Sequence, residues 1–101
     1  MMEVFYKGRK HRTMAFGDFD VSNGSLTVKK GSIVSEEVAT FKGDTVVLEL
    51  RKKYIDEKGV LTQDIMFGSA SAAASFVAGY SANGLLAWHV DKHVTLKDAL
   101  K

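Results

Sequence analysis

The residues best equipped for chemistry in this chain of 101 amino acids are basic. Lys7, Arg9, Lys10 and Arg12 stand almost side by side, with His11 among them and Phe5 and Tyr6 just before. Lysine and arginine neutralise phosphates and release their counterions, which gives affinity for any nucleic-acid sequence. Phe5 and Tyr6 beside them can stack on bases. Lys29-Lys30 and Arg51-Lys52-Lys53 form two further groups. The latter reads as helix, where successive residues fan out by about 100° and do not share one groove. The first group lies in or beside a turn around Gly8, so its charged ends point into solvent together. The expected nucleic-acid-binding residues are therefore Lys7, Arg9, Lys10 and Arg12. Asn83 joins them because an asparagine side chain can pair two hydrogen bonds with an adenine edge. Asn83-Gly84 is also a strong turn dipeptide, and the turn explains it fully.

Other chemistries find less support. His89-x-Asp91-x-His93 would present two imidazoles on one face of a helix, a spacing that metal sites use. Here Trp88 to Val90 reads as strand, Asp91-Lys92 as turn, and no third ligand is near. Ser69, Ser71, Ser75 and Ser81 sit in no nucleophile elbow, and capping explains them better. Glu36-Glu37 and Asp56-Glu57 are chain neighbours, which are usually solvated rather than an acid–base pair. No catalysis, metal or cofactor is expected. The chain has no cysteine, so it forms no disulfide. It is 46% hydrophobic and 26% charged, with a net charge of +2, the make-up of an ordinary globular domain. No apolar run is long enough to cross a membrane. Glu3 and the charges after it come too early for a secretory signal, so a cytoplasmic location is expected.

These residues need a scaffold, and the pattern supplies one. Residues 3–6 read as a strand, with 13–16 as the returning arm and Gly17-Asp18-Phe19-Asp20 interrupting it. Ser22-Asn23-Gly24-Ser25 is a hairpin loop before a strand at 26–28. Gly31-Ser32 reads as a bulge or turn, and Ile33-Val34 and Val38-Ala39 complete a small antiparallel sheet. A helix is expected over 44–58, capped by Asp44 and ended by Gly59. Val47, Leu50 and Tyr54, widened by Leu48 and Ile55, form its apolar stripe, and Arg51 and Lys52 lie on its surface. Residues 60–67 read as a strand. Ser69 caps an alanine-rich helix over 70–78, closed by Gly79 in the left-handed region. Phe76 is its buried anchor. Asn83-Gly84 then turns the chain, with Gly84 at positive φ, into a strand over 85–90 with Trp88 in the core. Thr95 caps a last helix over 96–101.

The small-residue stretch also carries a resemblance. Phe67, Ser69, Ser71, Ala72, Ala73 and Ala74 are followed by Gly79, Ser81, Ala82, Asn83 and Gly84, and then by Trp88. This pattern resembles the small C-terminal domain of unknown function attached to GIY-YIG-type nucleases, a family similar to the RAMA domain of restriction enzymes and adenine methylases. Leu26 to Ser32 resembles the family's strand ending in Lys-Gly-Ser. Leu50-Arg51 with Lys58-Gly59-Val60-Leu61 resembles its helix and following turn, and Thr95-Leu96-Lys97-Asp98 its C-terminal end. Gly68 stands where the family usually has serine, and Leu86-Ala87 where polar residues are common. The resemblance implies a DNA-associated accessory module with no catalysis of its own.

The expected fold is thus α+β: a single domain in which a small antiparallel sheet packs on two or three short helices. The expected function is a non-catalytic DNA-binding module in a restriction, modification or phage-defence setting. Two alternatives stand beside it. One is a protein-interaction module, an adaptor or a phage-encoded factor acting on a host protein. The other is a binder of a small nucleotide, with the Ser69 end of its helix as the anion site.

Overall fold

The computed structural model describes residues 1–8 and 13–101. Its first strand, β1 (Met2–Lys7), alternates as a half-buried strand must: Val4 and Tyr6 face the core, Glu3 and Lys7 face solvent. β2 (Met14–Phe19) pairs with it antiparallel, Phe5 opposite Phe16 and Tyr6 opposite Ala15. The expected break after Phe16 does not occur. Gly17 sits inside the strand because the Leu26 side chain crosses above it, and a Cβ there would lie 2.8 Å from Leu26 Cδ2 and from the Thr27 oxygen. The glycine makes room for a neighbour.

The next loop forms as its sequence suggests. The Asp20 and Asn23 side chains accept from the Ser22 and Ser25 amides, both at 2.9 Å. It leads into β3 (Leu26–Val28), and β4 (Ile65–Phe67) extends the sheet beyond β3. On the other side of β1 lie β5 (His89–Asp91) and β6 (Val94–Thr95). The order is β4-β3-β2-β1-β5-β6, with every pair antiparallel. Where the chain leaves β3, the buried Ser32 hydroxyl accepts from the Phe16 amide at 3.0 Å and replaces a missing ladder bond.

Among the described residues there are four helices: α1 (Asp44–Tyr54), α2 (Ala70–Ala78), α3 (Gly84–Ala87) and α4 (Leu96–Ala99). With the sheet they make an α+β fold. α2 is as expected: the Ser69 hydroxyl accepts from the Ala72 amide at 3.1 Å, and Gly79 closes the helix at φ 79°. Its buried alanines bring Phe76 down to the sheet, 5.2 Å from Phe67 between ring centroids. Trp88 meets Tyr6 edge-on at 5.9 Å, and its Nε1–H donates to the Ala70 carbonyl at 3.0 Å. Thr95 and Asp98 cap α4 reciprocally. The helices gather on the Val4–Tyr6 face of the sheet. The opposite face is open, with Phe16 48% and Met14 40% exposed.

Several expectations are corrected. Gly43, at φ 94°, precedes α1 as its cap residue, and Asp44 is already helical. α1 stops at Tyr54 rather than residue 58, because the Asp56 carboxylate binds the Lys58 and Val60 amides at 2.8 and 3.0 Å and draws the chain into a turn. Gly59, at φ 82°, belongs to that turn. Ile55 and Ile33 form single bridges to Leu61 and Val60, so the strand expected over 60–67 shrinks to β4. Val38-Ala39 joins no strand; the Ala39 amide donates to the Gly79 carbonyl at 2.7 Å instead. Residues 84–87 are helical, so the strand expected over 85–90 begins only at His89. Gly84 does not have positive φ. It is glycine because α3 presses on α2: a Cβ there would lie 2.1 Å from the Ala70 carbonyl carbon. The final helix ends at Ala99.

Candidate nucleic-acid interface

Lys7 ends β1 and is exposed. Just beyond it the Gly8 amide donates to the Thr13 carbonyl at 3.0 Å and joins the two arms of the hairpin. Arg9, Lys10 and Arg12 lie outside the described residues. Asn83 caps α3, its Oδ1 accepting from the Leu85 amide at 3.1 Å. Lys7 and Asn83, far apart in the chain, line one groove of about 920 Å³ together with Tyr6, Tyr80, Leu86 and His89. Burial, and then the neighbouring Tyr80 hydroxyl, push the Tyr6 phenol above its ordinary pKa, so it stays neutral at physiological pH. Tyr80 itself is 52% exposed at the groove.

The serines of the small-residue stretch hold this groove together. The Ser71 hydroxyl accepts from the Gly84 amide at 2.9 Å, and that of Ser75 from the Ala82 amide at 3.2 Å. Both pin the loop between α2 and α3 onto α2. The opposite wall, residues 35–39, is held to the end of α2: the Ser35 amide donates to Val77 at 2.9 Å and its hydroxyl to Ala78 at 2.6 Å.

Lys7 also stands on the open sheet face. Phe5 and Phe16 are partners across β1 and β2, and Phe5 and His89 across β1 and β5. The His89 ring lies against Phe5 with centroids 5.8 Å apart and an interplanar angle of 26°. His89 Nδ1 is 3.1 Å from the Ala87 carbonyl, which can only accept, so Nδ1 carries the proton. Tyr6, the second candidate for stacking on bases, is turned into the core by strand alternation. Phe16, and the place of His89 on this aromatic face, are not legible in the sequence. Their signal was the alternation of β2, hidden by the break read at Gly17, and the cross-strand partnership with Phe5, which no local pattern encodes.

The other basic groups separate. Lys29 Nζ lies 3.0 Å from Asp64 and 3.7 Å from Asp18, so its charge is locally balanced. Arg51, read as a surface residue, is buried: it is only 9% exposed and donates to the carbonyls at the end of α2. His89 lies in β5, and His93 in the turn after it, rather than on a helix. Among the described residues, Lys7 is thus the cation of the first basic group that meets both the groove and the aromatic face.

The family model for a domain of unknown function, DUF4357, matches residues 6–100. The chain belongs to this family. No curated protein and no solved structure matches it. The DUF4357 match takes in Lys7, Asn83, both walls of the groove and all the helices.

Proposed function

We propose that this domain is a non-catalytic DNA-binding accessory module acting in restriction, modification or phage defence. One observation carries the reading: Lys7 stands where the Asn83 groove meets the open sheet face, and Arg9, Lys10 and Arg12 follow it directly in sequence. Cations close together in sequence can contact successive phosphates, and an exposed ring beside Lys7 adds stacking. The sequence resemblance to the nuclease-associated and RAMA domains supports the same reading. Such binding positions the protein on DNA without selecting a sequence, because phosphate contacts carry no base information.

A salt titration of the domain on a labelled duplex tests this. The wild type should bind with micromolar or weaker affinity that falls steeply with salt. Arg9→Glu with Lys10→Glu should weaken binding to all sequences alike and flatten the salt slope, with circular dichroism unchanged. Absence of wild-type binding at low salt would reject the reading. A protein-interaction module would then lead, favoured by Tyr80 and by Leu86, which is also 52% exposed, beside the groove.

A further inference from the structure

The open sheet face carries an aromatic row. Phe16, Phe5 and His89 come from β2, β1 and β5, three adjacent strands, and each pairs directly with the next. Partnered residues point to the same face, and neighbouring strands are about 4.8 Å apart. An antiparallel sheet with one wet face ordinarily places polar side chains there. Here that face bears two phenylalanines and an imidazole, with Phe16 48% exposed. Exposed large apolar side chains in one patch are the informative exception.

The charges around the row are asymmetric. Two residues beyond Phe5 on the same face is Lys7, which has no carboxylate partner among the described residues. Arg9, Lys10 and Arg12 follow it in sequence. At the other end of the strands, Glu3 lies opposite Asp18. Lys29, beside Phe16, is taken up by Asp64 and Asp18. The row therefore has a cationic flank and an anionic one. A polyanion with flat, exposed rings fits this arrangement: its phosphates lie toward Lys7 and its rings on Phe5 and Phe16.

We propose that this face is a stacking platform for unpaired DNA bases, so that the preferred ligand is a single-stranded segment rather than an intact duplex. The proposal rests on the DNA-binding reading above. In a duplex the base faces are stacked on one another and are closed to a protein ring. In a single strand each base offers a π-face, which a ring takes without regard to sequence.

The test compares a fluorescein-labelled oligothymidylate with a duplex of equal length, by anisotropy at one low salt concentration. The single strand should bind at least several-fold tighter. Phe16→Ala should weaken single-strand binding by about five- to hundredfold and leave duplex binding unchanged. Phe16→Trp should restore the single-strand affinity. Arg9→Glu with Lys10→Glu should weaken both ligands. Phe16 is half exposed, so its replacement leaves folding intact; circular dichroism checks this. Duplex binding at least as tight as single-strand binding, or an unchanged single-strand affinity in Phe16→Ala, would overturn the platform and leave the DNA reading standing. Failure of the wild type to bind either ligand would remove both. Concentration-dependent dimerisation abolished by Phe16→Ala, without single-strand binding, would assign the face to a second copy of this chain and overturn the proposal.

Discussion

Arg51 donates to the main-chain oxygen of Phe76 from two nitrogens, Nε at 3.0 Å and Nη2 at 2.8 Å. Nη2 also reaches the Val77 oxygen at 3.0 Å, and Nη1 the Ser35 oxygen at 2.7 Å. The last four carbonyls of a helix have no partner within it, and the helix dipole makes that end negative. A buried guanidinium satisfies both needs for α2 and ties residue 35 to it. Burial draws its pKa down to about 10, which leaves it charged at neutral pH.

Arg51→Ala should therefore destabilise the domain by about 3 kcal/mol or more, because buried carbonyls lose their donors. Arg51→Lys should recover only part of this, since an ammonium cannot reproduce the planar fork. Urea denaturation of the three proteins measures it. A midpoint for Arg51→Ala equal to wild type would show that water serves these carbonyls as well.

Gly84→Ala should cost about 3 kcal/mol or more. The new Cβ meets the Ala70 main chain, which the Ser69 cap and the Trp88 indole hold in place, so α3 must move. Gly43→Ala offers the control. Gly43 has φ 94° and open space around it, so only backbone strain of about 1 kcal/mol applies. Thermal denaturation should rank Gly84→Ala well below Gly43→Ala; the opposite order would mean that α3 is free to shift.

Acid should weaken the tie between β3 and β4. The Asp64 carboxylate accepts from the Lys30 amide at 2.7 Å and pairs with Lys29 at 3.0 Å, and these contacts hold its pKa below the ordinary value of 3.8. A depressed carboxylate pKa stabilises the fold above the unfolded-state value and is lost as pH falls through the folded-state value. The stability gap between wild type and Asp64→Asn should then be widest near neutrality and close below about pH 4. A gap independent of pH would show that the charge on Asp64 contributes nothing.

Elements whose bonds close within a few residues are written in the sequence. Ser69, the alanines and Gly79 specify α2 from cap to stop, and Thr95 starts α4. The Asp20–Ser25 loop follows from its own side chains, and the alternation of Val4 and Tyr6 from strand geometry. Phe76 and Trp88 were legible as core residues because each is large, apolar and set among small or apolar neighbours. Of the candidate site, Lys7, Phe5 and Asn83 were visible, but not the groove that joins Lys7 to Asn83.

Tertiary structure alone decided the rest. Asn83-Gly84 has the dipeptide of a hairpin turn, yet it starts a helix, because Gly84 fits against Ala70 where no side chain can. Gly17 looks like a break, yet it continues a strand, because Leu26 needs the space above it. Arg51 looks like a surface charge, yet it is buried, because its partners are carbonyls 25 and 26 residues away. The row of Phe16, Phe5 and His89 exists only once β2 and β5 flank β1. Local propensities differ by about 1 kcal/mol or less per residue, while a buried fork of hydrogen bonds or a main-chain clash is worth several. Where the two conflict, the distant neighbour wins, and a single sequence read along its length does not contain that neighbour's position.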